Sequence, residues 1–384
     1  MKYRPFGKTG WNVSSLGFGC MRLPHAEGKP RIIDEPETIR QIRFAVDHGV
    51  NYLDTAYQYY EGGSEKVVGL AVKDGYREKV KIATKSPVWL MESPGDFDKY
   101  LDISLQRLQV DHIDFYLLHG LRKTFWENVV KHDLIKQAEN AKRAGKVGYV
   151  GFSFHDNYSL FEEIINAYDK WDFCQIQYNY INVNYQAGLK GLKYASGKGL
   201  PIVIMEPLLG GRLAKLPKVM NDVINNEGHK HTPVDLALQW LWNQPEVTCV
   251  LSGMNKMSEV EHNINSAEKS GAGSLTSGEL ELITRLQEVY KKYTPVPCTS
   301  CGYCIPCPNS VRIPNMFAMY NNGYLFENMS HAKEVYANIS KKLEGKTIAG
   351  ACIKCGKCEE KCPQHIPISE WLEKIHKELS GDNK

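Results

Sequence analysis

The stretch VKIATKSPVWLMESPGDFDKYLDISLQRLQVDHIDFYLLHG, residues 80–120, contains the repeating unit that decides the fold. Its two ends, VKIATK and IDFYLLH, are short runs rich in β-branched and aromatic residues, which predict strands. Between them, DKYLDISLQRLQ has the apolar spacing of an amphipathic helix. A strand, a helix and a second strand in this order predict a βα unit with parallel strands.

The same unit recurs along roughly the first 270 residues. The predicted strands are the eight runs VSSLGFGCM, VNYLDTA, VKIATK, IDFYLLH, VGYVGFS, FCQIQYN, PIVIMEP and TCVLSGM. Helical patterns such as PETIRQIRFAVDHG and VVKHDLIKQAENAKRAG lie between them. Eight strands that are each followed by a helix predict an α/β fold, a closed (β/α)8 or TIM barrel, rather than an open sheet. Ahead of the first barrel strand, MKYRPFGKTGW predicts a small hairpin at the bottom of the barrel.

The composition narrows the class of protein. A length of 384 residues allows one large domain and a smaller one, and 42% hydrophobic residues are enough for a sizeable core. The net charge of +3, with dispersed basic residues, gives no indication of nucleic-acid binding. The sequence shows neither a signal peptide nor an apolar stretch that would span a membrane. We therefore expect a cytoplasmic protein with no membrane partner.

Eight of the eleven cysteines lie in two short runs, CTSCGYCIPCP (298–308) and CIKCGKCEEKCP (352–363). The second run has the C-x2-C-x2-C-x3-C-P spacing of bacterial ferredoxins, in which the fourth cysteine binds the other cluster. The first run is one residue shorter before its Cys-Pro. Structural zinc sites and disulfides are the alternatives, and the pattern favours two [4Fe-4S] clusters over both.

The ferredoxin pattern also predicts which cysteines share a cluster. The first cluster takes Cys298, Cys301, Cys304 and Cys362, and the second takes Cys352, Cys355, Cys358 and Cys307. The segments between and after the two runs have helical character, so we predict a small all-α, ferredoxin-like iron–sulfur domain. The proline stretch TPVPC places the predicted boundary between a barrel domain at 1–294 and an iron–sulfur domain at 295–384.

Acid/base side chains stand at three consecutive predicted strand ends. Asp54 follows VNYL, Lys85 follows VKIAT and His119 follows IDFYLL, while YQYYEGG adds three tyrosines. Catalytic groups of a barrel lie at the carboxyl ends of its strands, so these residues predict an acid/base site. In such a site the lysine cation would lower the pKa of a tyrosine, and the aspartate would hold the lysine. Salt bridges and rim packing are the structural alternatives.

The segments NYLDTAYQYYEGGSE, VKIATKS, SLQRLQVDHIDFYLLH and GKVGYVGFS together resemble the signature segments of the aldo-keto reductases. The resemblance covers roughly residues 1 to 265. It implies an oxidoreductase that interconverts an aldehyde or ketone and the alcohol by transfer of a hydride to or from NADP or NAD. The implied catalytic residues are Asp54, Tyr59, Lys85 and His119. Tyr59 is chosen among the three tyrosines because the family's catalytic tyrosine, its general acid, lies five positions after the catalytic aspartate.

The resemblance also implies the residues that bind the nicotinamide nucleotide. Met205 stands where the family has a stacking tyrosine, and Glu259 stands where an arginine often binds the 2′-phosphate, which leaves NADPH and NADH both open. Lys256, in the same segment, is a cation that would compensate for the missing arginine. Cys20, which packing could equally explain, lies where the family lines the nicotinamide pocket. The predicted cofactor-binding residues are Cys20, Met21, Ser153, Gln175, Met205, Leu208, Gly210, Gly211, Gly253, Lys256, Glu259 and Asn263.

The two halves of the chain leave three functional hypotheses open, because hydride transfer moves two electrons and an iron–sulfur cluster moves one. In the first, the barrel is a carbonyl reductase and the clusters are structural or sense oxygen and iron. In the second, a flavin or a redox partner couples the barrel to the clusters, although no flavin motif is present. In the third, the barrel is a nicotinamide-sensing subunit without activity. A subgroup of aldo-keto reductases carries such a C-terminal dicluster domain, and the complete set of catalytic residue types favours an enzyme acting on a small molecule.

Overall fold

The computed structural model describes residues 1–29, 32–226, 231–298, 302, 304–362 and 364–381. By its internal contacts the chain divides into two compact units. One comprises Met1–Ala214 with His231–Thr276, and the other comprises Lys215–Lys230 with Ser277–Lys384. The C-terminal range of the second unit begins at Ser277, before the predicted domain boundary at residue 294. That boundary stays a prediction.

The first unit is built on a closed barrel of eight parallel strands, which confirms the predicted fold class. The strands are β3 (Leu16–Gly19), β4 (Tyr52–Asp54), β5 (Lys81–Ser86), β6 (Ile113–Leu121), β7 (Val147–Phe154), β8 (Phe173–Gln177), β9 (Ile202–Met205) and β10 (Cys249–Gly253). Each strand pairs with its sequence neighbour, and β10 pairs with β3 to close the ring. The carboxyl ends of all eight strands therefore meet at one rim.

Helices follow the strands and bury their apolar faces against the outside of the barrel. They are α1 (Glu35–Asp47), α2 (Gly63–Ala71), α3 (Asp96–Leu108), α4 (Lys123–Lys131), α5 (Leu134–Arg143), α6 (Tyr158–Ala167), α7 (Gly188–Gly197), α9 (Pro233–Trp242) and α10 (Met257–Ala267). The pattern at 129–145 predicted one helix. The structure has two, because Asp133 takes a left-handed conformation (φ 51°) that interrupts the helical path between α4 and α5.

The predicted hairpin is confirmed, since β1 (Tyr3–Pro5) and β2 (Asn12–Ser14) pair antiparallel. Between them, Phe6 is completely buried and belongs to the apolar cluster inside the barrel. Its ring lies 4.7 Å from that of Phe115 and 5.6 Å from that of Phe173, measured between centroids. The hairpin thus supplies an aromatic plug that leaves the opposite rim as the open end.

The second unit is helical in its described residues. It contains α8 (Lys218–Asn226), α11 (Ser277–Lys292), α12 (Ile313–Leu325), α13 (Met329–Lys342) and α14 (Ile368–Ser380). Because α8 belongs to this unit, the chain leaves the barrel unit after Ala214, forms α8, and returns at His231. The helix α8 packs against α11, and its Met220 and Ile224 are buried.

A second apolar core, separate from the barrel core, lies within α12, α13 and α14. Its members include Phe317, Tyr336 and Leu372, and six of the described cysteines of the two runs pack against it or belong to it. Among the described residues, no helix has the length and apolar character needed to cross a membrane.

Candidate active site and cysteine-lined cavities

A cavity of about 620 Å³ opens at the carboxyl ends of the barrel strands. Its wall contains Asp54 at the end of β4, Lys85 near the end of β5 and His119 near the end of β6. Tyr59 reaches the same cavity from the turn that follows β4, whereas Tyr57 and Tyr60 do not line it. The barrel therefore brings together the four side chains that the sequence predicted as catalytic.

Lys85 is the centre of this arrangement. Its Nζ donates to Asp54 Oδ1 at 2.6 Å, to the carbonyl oxygen of Thr55 at 2.7 Å and to the Tyr59 hydroxyl at 3.5 Å. Gln175 donates from Nε2 to the other Asp54 oxygen at 3.2 Å. Lys85 and Asp54 are almost completely buried, and removing one partner of such a pair costs about 3–5 kcal/mol. The pair thus fixes the ammonium beside the phenol.

Burial controls the protonation of these groups. It raises the pKa of Tyr59 above its ordinary value, and the positive charge of Lys85 only partly offsets this effect. The expected lowering by the lysine is therefore present but is outweighed by desolvation. Burial lowers the pKa of Lys85, but the charges of Asp54 and Tyr59 more than compensate, so its pKa is raised. The site holds a protonated phenol beside a permanent cation.

His119 is neutral in this environment. Burial lowers its pKa well below the ordinary value, and the charges of Lys85 and His155 lower it further. Its ring meets the Tyr59 ring edge-on at 6.0 Å between centroids. The buried Nδ1 has no hydrogen-bond partner in the described part of the chain. A neutral imidazole next to the phenol can hydrogen-bond a substrate oxygen without supplying charge.

A buried ion pair holds the turn that carries Tyr59. Arg107 Nη1 donates to the carbonyl oxygen of Tyr57 at 2.9 Å and to Glu65 Oε2 at 3.1 Å, and Glu65 is completely buried. Within the turn, Tyr60 and Glu61 take left-handed conformations with φ of 51° and 56°. Such conformations cost energy and need support from their surroundings, which this ion pair supplies.

Eight of the twelve predicted cofactor-binding residues line the same cavity. They are Met21, Ser153, Gln175, Met205, Leu208, Gly210, Gly211 and Gly253. Gly210 and Gly211 have φ of 70° and 94°, which glycine adopts without strain, and the backbone is open to close approach there. The Oε1 atom of Gln175 is buried without a hydrogen-bond partner among the described residues. An unpaired buried acceptor of this kind fits a ligand amide.

The other four predicted cofactor residues do not line the cavity. Cys20 is completely buried behind the cavity wall, and burial strongly raises its pKa. Its position agrees with a residue that packs in the core. Asn263 is buried on α10 and donates to Ser252 Oγ at 3.0 Å. Lys256 precedes α10, and Glu259 in its first turn accepts from the Asn255 amide at 3.0 Å. Roles for these residues in nucleotide binding stay predictions.

Sequence reasoning missed several residues of the cavity wall. They include Arg22, Gln58, Arg122, Phe125, His155 and Glu206. The signal was available for three of them, because Arg122 directly follows β6, His155 directly follows β7 and Glu206 directly follows β9. Trp89 also lines the cavity, whereas Trp126 is buried and donates to Glu163 at 2.8 Å.

The cysteines of the second unit surround two separate small cavities. Cys298, Cys304 and Cys362 line one, and Cys307, Cys352, Cys355 and Cys358 line the other. Cys301 lies outside the described residues. In the described part of the chain, no three His, Cys, Asp or Glu side chains converge as one metal ion would require. The division between the cavities is the same as the division between the two predicted clusters.

Comparison with known proteins agrees with this architecture and site. Residues 15–274 match the model of the aldo/keto reductase family, and the chain belongs to this family of oxidoreductases. Residues 297–366 match the model of a 4Fe-4S dicluster domain, so the chain combines the reductase barrel with a C-terminal domain of that kind.

Individual relatives cover the barrel. The uncharacterized oxidoreductase YqkF of Bacillus subtilis is 27% identical over an alignment of 332 residues that covers 76% of this chain and 99% of that protein. The L-galactose dehydrogenase of Arabidopsis thaliana is 27% identical over 74% of this chain and 94% of its own length. The holo structure of aldo-keto reductase AKR11C1 from Bacillus halodurans has a TM-score of 0.62 and 26% identity, with 74% of this chain and 96% of that chain covered.

Proposed function

We propose that the barrel interconverts an aldehyde or ketone and the corresponding alcohol with NADP or NAD, and that Tyr59 is its general acid and base. The observation that carries this proposal is the position of the Lys85 ammonium, which contacts both the Asp54 carboxylate and the Tyr59 hydroxyl at the open end of the barrel. A cation held beside a phenol stabilises the phenolate that proton donation leaves behind.

The residues of the chain act on the substrate oxygen. Tyr59 donates its proton to the carbonyl oxygen, and the negative charge that remains lies beside Lys85. Asp54 keeps Lys85 charged and in place, while neutral His119 hydrogen-bonds the same oxygen and orients the carbonyl. When bound, the nicotinamide supplies the hydride for the carbonyl carbon. In the reverse direction, the Tyr59 phenolate takes the proton of the alcohol.

The cavity wall suits a nicotinamide nucleotide. The unpaired Gln175 Oε1 can accept from the carboxamide, and Ser153 lies beside it on the neighbouring strand. The Gly210–Gly211 turn can accommodate the pyrophosphate through its backbone. Met205 can contact the nicotinamide ring as a soft apolar group.

The pH dependence of turnover tests this proposal. Carbonyl reduction uses the protonated phenol, so its rate should stay constant through neutrality and fall only as the pH passes the raised pKa of Tyr59. Alcohol oxidation uses the phenolate and should rise with pH over the same range. Because burial lowers the pKa of His119 well below its ordinary value, neither profile should show a histidine step near neutrality.

The measurement is the nicotinamide absorbance during reduction of a panel of aldehydes and ketones with NADH and with NADPH. A reduction rate that falls between about pH 6 and 7, where an ordinary histidine titrates, would show that His119 and not Tyr59 donates the proton. If neither nucleotide supports the reduction of any compound, the proposed activity is wrong.

Glu259 should disfavour the 2′-phosphate of NADPH, because a carboxylate repels it. Replacing Glu259 with glutamine should raise kcat/KM for NADPH relative to NADH by about tenfold, as expected for removing one nearby like charge. The matched control is Glu261→Gln, since this exposed carboxylate lies two residues further along α10 and therefore on a different side of the helix from Glu259. An unchanged ratio in Glu259→Gln, or an equal change in the control, would remove Glu259 from the adenosine site.

The second unit is proposed to hold two [4Fe-4S] clusters. Cys298, Cys301, Cys304 and Cys362 would bind one, and Cys307, Cys352, Cys355 and Cys358 would bind the other. The arrangement of the described cysteines around two cavities supports these sets. Hydride transfer needs no one-electron carrier, so we propose that the clusters primarily hold the helices of this domain together. Transfer of electrons to a redox partner is the alternative.

A further inference from the structure

One wall of the active-site cavity carries a cation that the proposed chemistry does not use. Arg122 comes directly after β6, three residues beyond His119, and its guanidinium lies 4.1 Å from the centroid of the Phe125 ring. Its side chain is exposed at the cavity wall and makes no hydrogen bond or ion pair with any described residue. Stacking on an aromatic ring leaves the N–H edges of a guanidinium open to a planar anion.

The surroundings of Arg122 form a path that leads back to the catalytic residues. The Phe125 ring lies 5.6 Å from that of Trp89, and the Trp89 ring lies 5.5 Å from that of His119. The wall from His119 to Arg122 is therefore aromatic and ends in a positive charge.

His155 borders this part of the cavity. Its backbone N–H donates to the carbonyl oxygen of Leu121 at 2.9 Å, which fixes it beside the strand that carries His119. Burial lowers the pKa of His155, and the positive charge of Arg122 lowers it further. The Arg122 guanidinium therefore lies near the His155 imidazole. A neutral imidazole here adds a hydrogen-bonding group and does not neutralise the guanidinium.

The carboxylates of the cavity wall are engaged elsewhere. Asp54 is paired with Lys85. Glu206 follows β9, and the pKa effects of Arg22 and Arg212 place both of these cations near it. Arg22 itself lies against the Gly210–Gly211 turn, on the side proposed for the nucleotide. Asp156, just outside the wall, accepts from the backbone amides of Lys123 and Asn157. Among the described wall residues, no carboxylate pairs with Arg122, so its guanidinium is open to an anion of the ligand.

We infer that the preferred substrates are aldehydes or ketones with an anionic group, in the first instance a carboxylate, separated from the carbonyl by an apolar or aromatic segment. The carbonyl oxygen lies at Tyr59 and His119, the apolar segment lies along Trp89 and Phe125, and the carboxylate pairs with Arg122. This inference rests on the proposed function and adds to it the class of substrate. The reaction itself is unchanged, because the anionic group takes no part in the transfer of hydride or proton.

The test uses two aldehydes that differ in one charge, 4-carboxybenzaldehyde and its neutral methyl ester. With the full-length protein, kcat/KM for the acid should exceed that for the ester. In Arg122→Gln the acid-to-ester ratio should fall at least tenfold, mainly through KM for the acid, and Arg122→Lys should recover part of it. Arg122→Glu should favour the ester over the acid.

The matched control is Lys123→Gln, which removes the neighbouring exposed cation from outside the cavity wall. This variant should keep the wild-type ratio. Equal ratios in wild type and Arg122→Gln, or equal losses in both variants, would overturn the assignment and leave Arg122 as a packing residue on Phe125.

Binding of 4-(hydroxymethyl)benzoate, measured by calorimetry in the presence of nucleotide, separates this inference from the proposed function. Weaker binding to Arg122→Gln, in a protein that reduces neither aldehyde, would support the anion site and overturn the proposed activity. Turnover of both aldehydes with identical binding to wild type and Arg122→Gln would support the activity and overturn the anion site.

Discussion

Replacing Tyr59 with phenylalanine should lower kcat for carbonyl reduction by on the order of 10²–10⁴-fold. The phenylalanine ring preserves the packing against His119 but lacks the hydroxyl that contacts Lys85 and faces the cavity. No other proton donor takes its place, because His119 is held neutral and the Lys85 ammonium is committed to Asp54 and the Thr55 carbonyl. Steady-state kinetics with the best aldehyde would measure the loss.

Two neighbouring tyrosines provide matched controls. The Tyr60 hydroxyl accepts from the Leu23 amide at 3.1 Å and hydrogen-bonds His25 at 2.9 Å, and the Tyr57 ring lies under the Arg107 guanidinium. Tyr60→Phe and Tyr57→Phe should each lower kcat far less than Tyr59→Phe. Nucleotide binding, followed by fluorescence, should persist in all three variants. If Tyr59→Phe kept activity close to that of wild type, the proposed general acid would be wrong.

Replacing Cys358 with alanine should remove about half of the iron, since one of two four-iron clusters loses a ligand. Cys358 is the most buried of the described cysteines of the two runs, and it belongs to the apolar core of the second unit. A helical unit of this size that depends on metal loses much of its folding free energy with the metal. We therefore expect lower thermal stability of the C-terminal helices together with the loss of iron.

The iron count of protein purified without oxygen would measure this effect, and the unfolding transition of the helices would follow by circular dichroism. Cys174→Ala is the matched control, because Cys174 is a buried cysteine of the barrel strand β8 and should leave the iron content unchanged. Cys362→Ala should remove the other half of the iron, which tests the division between the two cavities. Full iron content in Cys358→Ala would refute the proposed ligand sets.

The proximity of the proposed catalytic residues could be predicted because the position of a residue at the end of a barrel strand fixes where it lies in the fold. Asp54, Lys85 and His119 stand near the ends of three consecutive strands, and a closed parallel barrel brings such positions to one rim. The choice of Tyr59 among three tyrosines came from the family pattern and could not come from spacing, because the turn that follows β4 is irregular. Only the folded turn places Tyr59 in the cavity wall.

Other properties of the site depend on distances that the sequence does not contain. The raised pKa of Tyr59 results from burial, whose extent depends on the whole surrounding wall. The sequence predicted Gln175 only as a cofactor-binding residue. The structure shows that its side-chain amide donates a hydrogen bond to Asp54 from across the barrel. Cys20 ends a strand as a cavity residue would, yet its side chain is turned into the packed core. Strand alternation at such short strands was too weak a signal to decide this.

The path of the chain through α8 bears on where the chain could be shortened without exposing a helix that is packed. A simple end-to-end fusion would leave the reductase as an independent module that a stop codon after the barrel could restore. Here a segment inside the barrel sequence, between β9 and α9, packs on α11 of the second unit. A protein truncated before α11 would retain α8 but lose the helix that α8 packs on. A shortened protein that is meant to contain the reductase alone should therefore end after α11 and not before it.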